Sequence, residues 1–169
     1  ARPQFGSKLK EVKREGIELI IALDVSNSMN ATDVKPSRLK RAKRAIEKLV
    51  NDLNDDMIGL VVFAGDAMVQ LPITNDYASA KMFLSSIDTD IIPVQGTAIG
   101  EALRLSARSF TQDEEASKVI ILLTDGENHE DGAVEAAEAA YEKGITVYSV
   151  GMGTKKGSPI PARSGRFKK

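Results

Sequence analysis

Residues 18–29, "ELIIALDVSNSM", decide how this chain is read. The apolar run around them, "IELIIALDV" (17–25), is short and rich in β-branched residues, the pattern of a strand buried on both faces of a sheet. It runs straight into a loop where an acid and two hydroxyls take alternate positions: Asp24, Ser26 and Ser28. A chain leaving a strand in a turn can aim alternate side chains into one pocket. A carboxylate and two neutral hydroxyls would there form part of an octahedron of oxygens.

Outward from this stretch, a polar loop, "SNSMNATDVKP", leads to a helix from Ser37, in which Leu39, Ala42, Ile46, Leu49, Val50 and Leu53 recur at helical spacing. Ser37, after Pro36, suits its N-cap. Arg38, Lys40, Arg41, Lys43, Arg44 and Lys48 fall on the other side, which reads as a solvated helix face rather than a docking patch. "DMIGLVVFAGDAMVQLP" (56–72) predicts two strands joined in a hairpin at Gly65 and Asp66. "NDYASAKMFLSSI" (75–87) predicts a short helix with Asn75 or Asp76 near its cap, and a further helix begins near Thr97 with Ile99, Ala102, Leu103, Ala107 and Phe110 on one face. "SKVIILLTDG" (117–126) predicts a strand ending in an acid, "GAVEAAEAAYEKG" (132–144) a helix closed by Gly144, and "ITVYSVGMG" (145–153) a last strand.

Strands alternating with helices predict a doubly wound α/β fold: a mainly parallel central sheet, helices on both faces, and one antiparallel edge strand from the hairpin. Residues 1–16 read as a lead-in, 17–153 as the domain and 154–169 as a tail of the same domain. Both ends are polar and basic, "ARPQFGSKLKEVKREG" and "GSPIPARSGRFKK", and read as the cut edges of a domain excised from a longer protein.

Composition narrows the chemistry. A net charge of -1 over 169 residues gives no general attraction to nucleic acid or anionic lipid. There is no cysteine and a single histidine, His129, so thiolate sites and imidazole clusters are excluded. Any metal must sit among oxygens, which favours magnesium, with manganese and calcium as alternatives. No apolar run approaches the roughly 18 residues of a membrane-spanning helix.

Ligands of open parallel sheets gather outside the carboxyl ends of the strands. Three segments bring polar residues there: "DVSNS" after the first strand, "QGTAIG" at the helix start near Thr97, and "LLTDGEN" after the strand ending at Leu123. Thr97 and Asp125 can complete the oxygen set of Asp24, Ser26 and Ser28, and two acids with three hydroxyls suit magnesium, which keeps several waters and takes one or two carboxylates. Each residue also has a plainer reading. The serines suit a turn, Thr97 an N-cap, and Asp125 before Gly126 a turn pair. Met29 and Asn30 belong with the rim of the site, as Glu127 and His129 would if that loop reaches it, although a lone loop histidine among acids is more often simply exposed.

These motifs resemble the von Willebrand factor type A domain and its metal-ion-dependent adhesion site over about residues 17–151. "DVSNS" fits the Asp-x-Ser-x-Ser element, Thr97 the threonine loop and Asp125 the aspartate loop, where the acid often acts through a bound water. "ALDVSNSMNATDVKPSRLKRAK" and "VVFAGDAMVQLPITNDY" are similar to the bacterial Bat, or aerotolerance-related, proteins. The resemblance implies a Rossmann-like fold that continues past "GRFKK" into a last strand and helix. It also implies an anchor in the inner membrane, with the domain on the periplasmic side, and association with other Bat-type proteins and a MoxR-type AAA+ ATPase system. The function it implies is protein–protein interaction, in which a divalent cation bridges to an aspartate or glutamate of a partner.

A structural subunit without metal dependence fits the same residues. A magnesium-dependent phosphoryl-transfer enzyme fits less well, because Ser26 stands where a haloacid dehalogenase-type phosphatase needs its second aspartate. A response-regulator receiver wants an acidic pair after the first strand, and "ALDVSNS" holds one acid. A serine hydrolase would need His129 as its base, and no Gly-x-Ser-x-Gly elbow exists.

Overall fold

The computed structural model of the chain describes residues 16–126 and 132–153. Five strands, β1 (Ile17–Asp24), β2 (Met57–Phe63), β3 (Ala67–Thr74), β4 (Ser117–Thr124) and β5 (Ile145–Gly151), form one sheet in the order β3-β2-β1-β4-β5. All neighbours pair in parallel except β2 and β3, the antiparallel hairpin expected from "AGD". The helices are α1 (Arg38–Asn51), α2 (Tyr77–Ser85), α3 (Ile99–Arg108) and α4 (Ala133–Glu142). A 3-10 turn, η1 (Asn27–Asn30), follows β1 within the stretch that the sequence predicts as loop.

The period-two alternation of the strands sorts the helices onto two faces. Leu19, Ile21 and Leu23 of β1 join Ile58, Leu60 and Val62 of β2 under α1 and α2, where Leu39, Ile46 and Leu84 cover them. Ile20 and Ala22 join Val61, Phe63, Ile120 and Leu122 under α3 and α4, against Leu103, Ala137 and Ala140. Every residue of β1 is buried, so the strand carrying Asp24 is the best-packed element of the sheet.

Helix starts follow local chemistry. Ser37 accepts the Lys40 amide at 3.1 Å and caps α1, and Asp76 accepts the Ser79 amide at 3.1 Å and caps α2. Helix α3 begins differently: its cap is Ala98, with no side-chain hydrogen bond, so Thr97 precedes the cap instead of serving as one.

The chain lays β2 and β3 to one side of β1, then crosses back to place β4 on the other. The order reverses between β1 and β4, and the carboxyl ends of these two strands are where a crevice forms in such sheets.

Candidate functional site

Parallel pairing sets Leu23 of β1 opposite Leu123 of β4, so the residues that follow, Asp24 and Thr124, leave the sheet side by side. Asp24 has no exposed surface; its Oδ2 accepts the Thr124 hydroxyl at 2.6 Å and its Oδ1 accepts the Ser26 amide at 2.8 Å. The second bond closes a turn within the loop, which directs Ser26 and Ser28 to the same side. Their hydroxyl oxygens lie 3.2 Å apart, and Ser28 Oγ donates to Asp125 Oδ1 at 3.0 Å. Asp24, Ser26, Ser28 and Asp125, chosen from two separate loops, are therefore brought together.

Thr97 comes to the same edge from a third direction. A Cβ on Gly126 would lie 3.4 Å from Thr97 Cγ2 and 3.7 Å from its Oγ1, so the threonine loop sits against the aspartate loop. Two backbone bonds hold it there: Gly65 N to Val94 O and Ala98 N to Ala64 O, both 2.7 Å. The Asn27 amide adds a 3.2 Å bond to Gln95 Oε1, which ties the threonine loop to η1.

The rim assignments divide. Met29 is a correction: it has no exposed surface and packs in the core with Leu39 and Ile46, because η1 turns it inward between its two exposed neighbours. Asn30 is exposed, and its amide donates to Thr89 Oγ1 at 3.0 Å. Glu127 and His129 lie outside the described residues.

Burial pushes the Asp24 carboxyl above its ordinary range. Hydrogen bonds from Thr124 and Ser26 work against that shift, and the charge of Asp125 adds to it. Asp125 itself is held by Arg38, whose Nη1 donates to Oδ2 at 2.6 Å. The same guanidinium grips Asp33 through Nε at 2.8 Å and Nη2 at 2.9 Å. Asp33 foremost, and then Asp125, hold Arg38 still further in its charged form against the opposing effect of burial.

Sequence reasoning missed Thr124, Gln95, Asp33 and the role of Arg38. The helical wheel placed Arg38 with the solvated basic residues, but it stands at the first position of α1 and turns back across the sheet edge. A threonine directly before the strand-end acid was the only local sign of Thr124.

The donor set suits a hard cation. Magnesium–oxygen bonds of about 2.1 Å in an octahedron place neighbouring oxygens about 3 Å apart. Ser26 Oγ to Ser28 Oγ at 3.2 Å and Ser28 Oγ to Asp125 Oδ1 at 3.0 Å are edges of that length. Among the described residues no group of three or more acids or histidines converges as a metal site, so any cation here would rely on hydroxyls and water as much as on carboxylates.

A family model of the von Willebrand factor type A domain matches residues 19–127. A structure of the conserved hypothetical protein BatB from Bacteroides thetaiotaomicron is 62% identical with a TM-score of 0.81, covering 86% of this chain and 71% of its own. An aerotolerance-related membrane protein from Bacteroides fragilis is 54% identical with a TM-score of 0.80, covering 91% of this chain and 79% of its own. Proximal thread matrix protein 1 of the mussel byssus, in a structure with zinc in its MIDAS motif, is 25% identical with a TM-score of 0.71, covering 80% of this chain and 35% of its own. The chain spans about half the length of the curated relatives it matches. Nothing in these matches points to an enzymatic activity, and among the described residues no helix is long and apolar enough to cross a membrane. With its sheet order, its three converging loops and these matches, the chain belongs to the von Willebrand factor type A domain family, on the branch of the bacterial Bat, or aerotolerance-related, proteins.

Proposed function

We propose that this domain is a cation-dependent protein-interaction module. Asp24, Ser26, Ser28, Thr97 and Asp125 would hold a divalent ion, magnesium first and manganese or calcium next, which supplies an electrophilic position for an aspartate or glutamate of a partner protein. The observation that carries the reading is the run of oxygens from Ser26 through Ser28 to Asp125, spaced like octahedral edges beside a buried carboxylate. The zinc found in the MIDAS motif of the mussel protein supports it. No bond is made or broken, so specificity falls to the surrounding loop surface, with Asn27 and Asn30 exposed on it.

We also propose an inner-membrane anchor outside this chain, with the domain on the periplasmic side; the membrane-protein name of the Bacteroides fragilis neighbour supports the membrane association alone. Other Bat-type proteins and a MoxR-type AAA+ ATPase system are the partners we propose.

Calorimetric titration with magnesium and manganese tests the core of this reading. The unaltered protein is expected to bind, while Asp24→Ala and the Ser26→Ala, Ser28→Ala pair remain folded and do not. A second reading, a structural subunit without metal dependence, is favoured by the hydrogen bonds that already close the loops without an ion. It predicts no binding even with acetate present as a stand-in carboxylate.

A further inference from the structure

Arg38 reaches the site, and the arrangement around it is built rather than incidental. Its guanidinium spans two carboxylates: Nε and Nη2 make a fork on Asp33, and Nη1 reaches Asp125 Oδ2. Forked arginine–carboxylate pairs fix both distance and orientation, which a lysine could not do. The position is anchored twice more, by the Ser37 cap at the start of α1 and by a backbone bond from Arg38 N to Ala31 O at 2.8 Å. The Asp125 side chain is 4% exposed and that of Arg38 22%, so the pair is shielded from the water that makes surface ion pairs nearly worthless.

We propose that Arg38 is a positioning residue that sets the charge of the cation site, holding one oxygen of Asp125 away from the ion so that a bound cation keeps its attraction for an external carboxylate. The proposal rests on the cation-dependent reading above. Asp24 and Asp125 bring two negative charges to the site when ionised, and Arg38, whose other partner Asp33 holds it in place, offsets part of that charge. Without Arg38 the loaded site would lose that offset and attract the acidic side chain it is meant to receive less strongly. Arg38 thus trades affinity for the ion against affinity for the partner's carboxylate.

The test is a manganese titration of the unaltered protein, Arg38→Gln and Arg38→Lys, each with and without acetate. Arg38→Gln is expected to bind manganese roughly three- to tenfold more tightly than the unaltered protein, the effect of one nearby charge in a partly shielded site. Acetate should tighten manganese binding to the unaltered protein, since the two ligands are linked, and should do so much less in Arg38→Gln. Arg38→Lys, which keeps the charge and loses the fork, should fall between them. Equal or weaker manganese binding by a folded Arg38→Gln, or an undiminished response to acetate, would overturn the proposal and leave Arg38 as a brace. Should Arg38→Gln fail to fold, Asp33→Asn decides with the opposite sign: removing an acid should weaken manganese binding and enlarge the acetate effect, and the reverse result would sink the idea. Absence of binding in every protein, with acetate or without, would instead remove the cation reading itself.

Discussion

Asp24 shows how one residue can be both legible in sequence and dependent on the fold. Its place at the end of an apolar strand and its alternation with Ser26 and Ser28 are local facts, and the loop bond from the Ser26 amide is local too. Its energetic state is not local. Burial raises its affinity for a proton, so over pH values between its ordinary range and its raised one the folded protein binds more protons than the unfolded chain. Stability in chelator is therefore expected to fall as pH rises through that interval. In Asp24→Asn this contribution should vanish, and magnesium, which favours the ionised form, should recover stability at neutral pH in the unaltered protein alone. Thermal denaturation across acid to neutral pH, with chelator and then with magnesium, checks this; identical pH profiles for the two proteins would contradict it. Met29 marks the limit of reading at this scale. Next to Ser28 in sequence it belongs with the loop, yet the 3-10 turn rotates it into the core, and no spacing rule separates those outcomes.

Among the elements, the threonine loop depends on a glycine for reasons of space. A Cβ on Gly65 would come within 2.3 Å of Gln95 O and 2.8 Å of its carbonyl carbon, and backbone cannot step aside as a flexible side chain can. Gly65→Ala is expected to cost about 1–3 kcal/mol through overpacking. Because the Gly65–Val94 and Ala64–Ala98 bonds bracket Thr97, cation binding should weaken as well. Chemical denaturation paired with a manganese titration tests both effects, and an unchanged midpoint with full binding would show that the loop absorbs the methyl group. The sequence marked "AGD" as a hairpin turn, which it is, but the second duty of Gly65 against a loop thirty residues later has no local signature. The caps make the same point from the other side. Ser37 and Asp76 act on amides three residues on; spacing named Ser37 and left Asn75 or Asp76 for the second helix, between which the structure chooses Asp76. Thr97 looked equally suited to capping α3, but the cap falls one residue later at Ala98, whose amide bonds Ala64 O just past β2.

At the scale of the molecule, the site lies where β1 and β4 diverge, and a ligand held by loops from both must stabilise the whole fold. At a magnesium concentration of 100 times the dissociation constant, linkage predicts about 2.7 kcal/mol of added stability. For a chain of this size that corresponds to a rise of roughly 5–10 °C in melting temperature. The Ser26→Ala, Ser28→Ala protein should show no such rise, and an equal rise in both would place the bound ion elsewhere. The sequence by itself determined the alternation of strands and helices, the two-faced core, the antiparallel hairpin and the acid–hydroxyl loop, because each is written in contacts between near neighbours or in a fixed period. Only the tertiary structure decided that Thr124 donates to Asp24, that Arg38 leaves the solvated face to hold Asp125, and that Met29 is core rather than rim. Those outcomes join residues up to 100 positions apart, or turn on which way a short loop rotates against a packed sheet. Such contacts exist only after the crossover from one side of β1 to the other has brought their partners together.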